Sequence, residues 1–207
     1  MKEGEKAIGY QKRIWYPGAC YHVMSRGVRG GKIFQDENDY RLFLEIIRMY
    51  QEKYGFIIHS YCLMTNHFHL QIETNNVALG TIMERILKAY ANNFNIKYHY
   101  EGHVFQGRYK GIIIEDSIYF LETGRYIHLN PVKAKMVMKP ENYEYSSYQS
   151  YISLSENELL YKDKTLSFFR DSDPVEYAKF VEAKVTHEEY ELSIRTELGE
   201  NDNWLPW

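Results

Sequence analysis

Cysteine is nearly missing: only Cys20 and Cys62 occur in 207 residues. Two thiols cannot form a disulfide framework or a cysteine-only metal site. A reducing, cytoplasmic setting is therefore expected. Long apolar runs are also lacking, since a bilayer span needs about 20 consecutive apolar residues and the aliphatic stretches here are far shorter. No membrane partner is expected. The opening MKEGEKAIGY carries charge with no apolar stretch behind it, which is not the pattern of a signal peptide. Proline is scarce, at 5 residues, and no Pro/Gly/Ser-rich linker or internal repeat is visible, so no sharp domain boundary can be drawn.

Aromatic residues are abundant: 20 Tyr, 10 Phe and 3 Trp. With 44% apolar and 26% charged residues, the chain can bury a sizeable core and is not disordered. The net charge of −3, taken alone, argues against nucleic acid. Its distribution argues otherwise. Residues 1–150 carry 19 Lys+Arg against 15 Asp+Glu, while residues 151–207 carry 6 against 13. A mildly basic working region is thus followed by an acidic segment, which reads either as a solvated helical cap or as a regulatory tail.

Periodicity supplies the elements. ACYHVMSR (19–26) alternates as a strand does, and a Gly- and Arg-bearing loop, RGVRGGK, follows. Asp36 then stands as N-cap before a helix with Phe43, Ile46, Ile47 and Tyr50 at helical spacing, and Gly55 as its C-terminal stop. FIIHSYCLM (56–64) and HFHLQIET (67–74) read as strands joined through Thr65-Asn66 in a tight hairpin. A helix is predicted over 79–98, a strand at 111–116, and a further helix from a Ser117 cap to Asn130, where Pro131 should end it. The order predicts an α+β, ferredoxin-like antiparallel sheet with helices packed on one face, plus a C-terminal helical extension with helices near 174–185 and 187–198.

Two motifs could carry chemistry. In His67-Phe68-His69, residues i and i+2 of a strand share a face, so the imidazoles form either a bidentate metal site or a structural pair, with Phe68 turned to the core. The absence of cysteine nearby argues against a closed zinc site. In Tyr126-Ile127-His128-Leu129-Asn130-Pro131, Tyr126 and Asn130 share a helix face. An Asn oxygen suits Mg2+ or Mn2+, and with two His nitrogens it would leave positions open for phosphate and water. Tyr126 could then attack a phosphate held there. The plainer alternatives are a surface tyrosine and a helix-end cap. His128 lies near the opposite helix face and reads as packing, and Glu115 or Asp116 as helix caps.

HFHL together with YIHLNPVKA resembles the signature of the HUH-type single-tyrosine transposases, in particular their REP-associated tyrosine transposase branch, relatives of the smallest insertion-sequence transposases. The likeness extends to YHVMSRGVRG (21–30), SYCLMTNHFHL (60–70), VFQGRYKG (104–111) and YEYSSYQSY (143–151), in the order the family has them. It spans roughly residues 15–151, which implies a catalytic domain over 1–151 and an acidic extension over 152–207. The resemblance implies His67 and His69 as metal ligands, Asn130 as the third ligand where the insertion-sequence branch more often has Gln, and Tyr126 as nucleophile. It implies a Mg2+ or Mn2+ cofactor and single-stranded DNA with imperfect palindromes folded as hairpins. The implied product is a 5′-phosphotyrosine with a free 3′-OH. Relatives work as homodimers or monomers.

Candidate phosphate contacts are Arg26, Arg29 and Lys32 in the loop, Arg108 and Lys110 in GRYK, and Lys133 and Lys135 after the helix. Phe105 and Tyr109 are expected either to stack on unpaired bases or to fill the core. RGVRGG lacks the GK[ST] ending of a nucleotide-binding P-loop. Two other functions fit the same residues: a non-catalytic binder of structured single-stranded nucleic acid, and a metal-dependent phosphodiesterase using activated water.

Overall fold

The computed structural model describes residues 15–153 and 156–183. Four strands form one sheet: β1 (Cys20–Arg26), β2 (Ile57–Met64), β3 (His67–Glu73) and β4 (Lys110–Ile114). Their spatial order is β2-β3-β1-β4 and every pair is antiparallel. Two crossovers generate it: α1 (Glu37–Tyr54) carries the chain from β1 to β2, and α2 (Leu79–Tyr98) from β3 to β4. This is the ferredoxin-like arrangement. The C-terminal elements are α3 (Ser117–Lys133), α4 (Tyr148–Ile152), α5 (Asp163–Leu166) and α6 (Pro174–Glu182).

The predicted ends of α1 hold. Asp36 accepts from the Asp39 amide, the Asp39 carboxylate accepts from the Asp36 amide, and Gly55 stops the helix at φ 67°. Lys97 of α2 ties down both carboxylates at 2.7–2.8 Å, fastening the two crossover helices together.

Alternation along β3 divides the molecule. Phe68, Leu70 and Ile72 face the main core, where they meet Phe43 and Ile47 of α1 and Ile82, Ile86 and Tyr90 of α2. His67, His69, Gln71 and Glu73 face the other way, where α3 lies. The expectation that all helices pack on one face is therefore corrected. A β-bulge between Ile58 and Ser60 shifts the register of β2. Ile58, Tyr61 and Leu63 can then face the main core, while Cys62 and Met64 join Met24, Ile112, Tyr126 and Ile127 in a second core beneath α3.

Two details of α3 depart from expectation. Its N-cap is Asp116, the other capping candidate read from the sequence, which accepts from the Tyr119 amide at 2.8 Å, so Ser117 is the first helical residue and not the cap. The helix also runs past Asn130 to Lys133 with Pro131 inside it. Burial of Ile127, Asn130 and Pro131 holds the last turn in place, and the Ala134 amide reaches the Asn130 carbonyl at 2.9 Å. Helix α6 starts from the Asp173 cap with Pro at its first position. The helix expected over 187–198 lies outside the described residues.

Candidate active site

Antiparallel register brings the site together. On β3, His67 and His69 lie opposite Met64 and Cys62 of β2, and opposite Arg26 and Met24 of β1. The pair therefore sits mid-sheet, beneath α3, whose Tyr126 and Asn130 both point down onto it. The Asn130 side chain is not spent on a helix cap. Its Oδ1 is 3.3 Å from His67 Nε2, and its Nδ2 donates to His69 Nε2 at 3.2 Å. The Tyr126 ring stands edge-on to His69, with centroids 5.4 Å apart. Phenol, amide and both imidazoles thus occupy one compartment.

This compartment is buried. His67, His69, Tyr126 and Asn130 are 7%, 2%, 1% and 1% exposed. Burial lowers the His67 pKa to about 4, with the Asn130 contact opposing the shift, and holds His69 well below its ordinary range. Both imidazoles are neutral near pH 7, the state in which a ring nitrogen can bind a metal. Lys133 Nζ lies 5.0 Å from the centre of the Tyr126 ring and adds positive charge at the one end.

Two ring nitrogens converging on one amide fit a divalent ion by donor chemistry, since imidazole and amide oxygen are both ordinary ligands of Mn2+ and related ions. No group of three His, Cys, Asp or Glu side chains that could hold a metal occurs among the described residues. The candidate set is instead two histidines and an amide.

One neighbour was missed by sequence reasoning. His22 of β1 is fully buried, and its Nε2 lies 2.9 Å from His69 Nδ1. Its ring also stands edge-on to Tyr126, with centroids 5.6 Å apart. His22 shares strand parity with Met24, but only the pairing of His22 with Gln71 puts it diagonal to His69.

The basic candidates gather at one end of the sheet, because the end of β1 and the starts of β3 and β4 coincide there. Arg26 lies opposite His67 and donates to Gln106 Oε1 at 2.9 Å. Arg29 and Lys32 are exposed in the turn just beyond, Arg108 is exposed before β4, and Lys110 opens β4 opposite Met24. Lys133 is half-buried over Tyr126, and Lys135 is exposed. Phe105 and Tyr109 differ. They are 7% and 5% exposed within the main core, so of the two expected roles the structure places them in the core and not among residues open to stack on bases. His128 packs as expected, between Ser147 Oγ at 2.7 Å and Tyr177 OH at 2.8 Å.

A family model described as IS200-like transposase matches residues 16–130. A search of curated proteins finds no match. The fold is similar to that of a solved REP-associated tyrosine transposase bound to a REP hairpin, at TM-score 0.61 and 14% identity, covering 74% of this chain and 98% of that one. Weaker likenesses are a candidate transposase from Deinococcus radiodurans (TM-score 0.40, 17% identity, 56% of this chain and 88% of that one) and the tRNA(His) guanylyltransferase of Saccharomyces cerevisiae (TM-score 0.44, 11% identity, 97% and 88%).

Proposed function

This chain belongs to the IS200-like transposase family, and on that premise we propose that it is a metal-dependent endonuclease and strand transferase acting on hairpin-bearing single-stranded DNA. The observation that carries this reading is the meeting of Tyr126, His67, His69 and Asn130 in one compartment.

Tyr126 is the nucleophile in this reading. Its oxygen attacks the scissile phosphorus, the P–O3′ bond breaks, and the 3′-oxygen leaves as a free hydroxyl while the phenol gives up its proton. The 5′ end is then linked to the protein as a phosphotyrosine. A free phenol, with a pKa of about 10, is a weak nucleophile near neutrality. His67, His69 and Asn130 would hold the divalent ion, which when bound polarises the scissile phosphate and offsets charge developing on it. The edge contact with His69 orients the Tyr126 ring, and the buried walls exclude the water that would otherwise compete for phosphorus. Because a phenolate can leave again, a later 3′-OH can attack the adduct and rejoin the strand without ATP. The basic rim, from Arg26 and Arg29 to Arg108 and Lys133, supplies phosphate contacts. The structurally similar REP-associated tyrosine transposase is bound to a REP hairpin.

Two results are expected. Tyr126→Phe incubated with single-stranded hairpin DNA and Mn2+ keeps binding but forms no covalent adduct; an adduct with the Phe variant would remove Tyr126 from its role. His67→Ala and His69→Ala each lose divalent-dependent cleavage, and cleavage that persists in EDTA would remove the metal from the account. A non-catalytic binder of structured single strands is favoured by one observation, the 1% exposure of Tyr126. It predicts retained hairpin binding and no adduct even with the unaltered chain.

A further inference from the structure

Each imidazole of the pair has its second ring nitrogen engaged by a different residue. His67 Nδ1 is 2.7 Å from Asn66 Oδ1, and His69 Nδ1 is 2.9 Å from His22 Nε2. Neither partner has a role in the reading above. We propose that Asn66 and His22 are positioning residues that lock both imidazoles in the Nδ1–H tautomer, so that the two Nε2 lone pairs are turned toward Asn130. The inference rests on the proposed assignment of His67 and His69 as ligands.

The hydrogen-bond chemistry leads there step by step. Both ring nitrogens of His67 face amide oxygens, which can only accept, and a neutral ring carries one proton; the shorter contact, Nδ1 to Asn66 Oδ1 at 2.7 Å against Nε2 to Asn130 Oδ1 at 3.3 Å, assigns that proton to Nδ1. A neutral ring then has a bare Nε2, and this atom faces Asn130 Oδ1 at 3.3 Å. Two acceptors pointed at each other are repulsive unless a cation or a proton lies between them. At His69 the order is fixed from the other side. Asn130 Nδ2 donates to Nε2, so Nε2 is bare and Nδ1–H donates to His22 Nε2. Without these partners a histidine side chain favours the opposite, Nε2–H tautomer. Outer partners of this kind fix ring orientation and tautomer at metal sites.

The two locks have different origins. Asn66 lies in the two-residue turn between β2 and β3, and its Nδ2 also donates to the Gly30 carbonyl at 3.3 Å, which sets the amide orientation. His22 is held in the sheet interior at 0% exposure. One lock is thus built into the hairpin turn and the other into the neighbouring strand.

Long-range 1H–15N correlation spectra of the full, metal-free chain at neutral pH read tautomers directly, and titration with Mn2+ alone reads affinity. Both His67 and His69 are expected as Nδ1–H. His22→Phe, which keeps a buried ring but no acceptor, should move His69 alone to Nε2–H. Asn66→Ala should move His67 alone. Each should weaken Mn2+ binding about 10- to 100-fold. His22→Gln and Asn66→Asp, which retain an acceptor, should restore both readouts. An Nε2–H form of either residue in the unaltered chain, or a folded variant with unmoved tautomers and unchanged Mn2+ affinity, overturns the proposal. If His22→Phe fails to fold, the Asn66 arm decides alone. Nδ1–H tautomers in a chain that binds no Mn2+ would support the locks and refute the metal-dependent function, so the two failures are distinguishable.

Discussion

Paired, half-buried charge governs the edge of the polar sheet face. Glu73 accepts from His59 Nε2 at 3.0 Å and pairs with Lys164, and these contacts pull its pKa down to about 2. A carboxylate with a depressed folded pKa stabilises the fold above its unfolded value, and that contribution is lost as pH falls through the folded value. Glu73 should therefore stabilise the protein fully above about pH 4.5 and lose that contribution on the way to pH 2. Glu73→Gln should be less stable near neutrality by about 1–3 kcal/mol. It should also unfold with a flatter acid limb between pH 4.5 and 2 in urea titrations. An acid limb as steep as that of the unaltered chain would show that the ion pair contributes nothing. At this scale the sequence disclosed a good deal. The His67/His69 spacing and the Tyr126/Asn130 spacing were both readable, because strand and helix periods fix which residues share a face. The inward direction of Tyr126 was not, since an isolated helix has no sheet to turn toward. The choice between the two roles open to Phe105 was undecided for a similar reason: its burial depends on a bridge to Gly27, 78 positions earlier.

Among the elements, α3 carries the proposed nucleophile and α6 holds α3. Tyr177 of α6 donates to His128, while Arg125 of α3 donates to the Val181 and Ala183 carbonyls at the end of α6 and lies 5.3 Å from the Phe180 ring centre. Both anchors flank Tyr126, one residue before it and two after. Tyr177→Phe leaves a fully buried imidazole nitrogen without its donor, which should cost about 1–3 kcal/mol. If α6 fixes the placement of Tyr126, the same variant should also slow adduct formation while hairpin affinity stays unchanged. A stability loss with no change in adduct rate would confine Tyr177 to packing. Helix ends set by local rules, such as Asp36 and Gly55 of α1, were legible in the sequence. The junction of α3 with α6 was not, because the Tyr177–His128 contact joins residues 49 apart and no periodicity encodes it.

The molecule as a whole is a basic-rimmed sheet followed by an acidic C-terminal stretch. Residues 184–207 carry 2 Lys+Arg against 6 Asp+Glu. We propose that this stretch limits non-specific DNA binding. Ending the chain after Ala183 should then raise affinity for random single-stranded DNA at low salt, with the gain vanishing at high salt. Equal affinities at low salt would make the acidic residues neutral in binding. A cut after Tyr151 would not serve, because it also removes Tyr177 and Val181, which pack against Tyr148 and Tyr151. No helix among the described residues is long and apolar enough to cross a membrane. The central claim, that Tyr126 forms the covalent bond to DNA, can be read by mass spectrometry. Trypsin cuts after Arg125 and Lys133, so Tyr126 falls in the peptide YIHLNPVK, where it is the only tyrosine. After reaction with hairpin DNA and Mn2+, followed by nuclease trimming, that peptide should carry a nucleotide through a phosphotyrosine. Recovery of the peptide unmodified, beside cleaved DNA ending in a plain 5′-phosphate, would contradict the account.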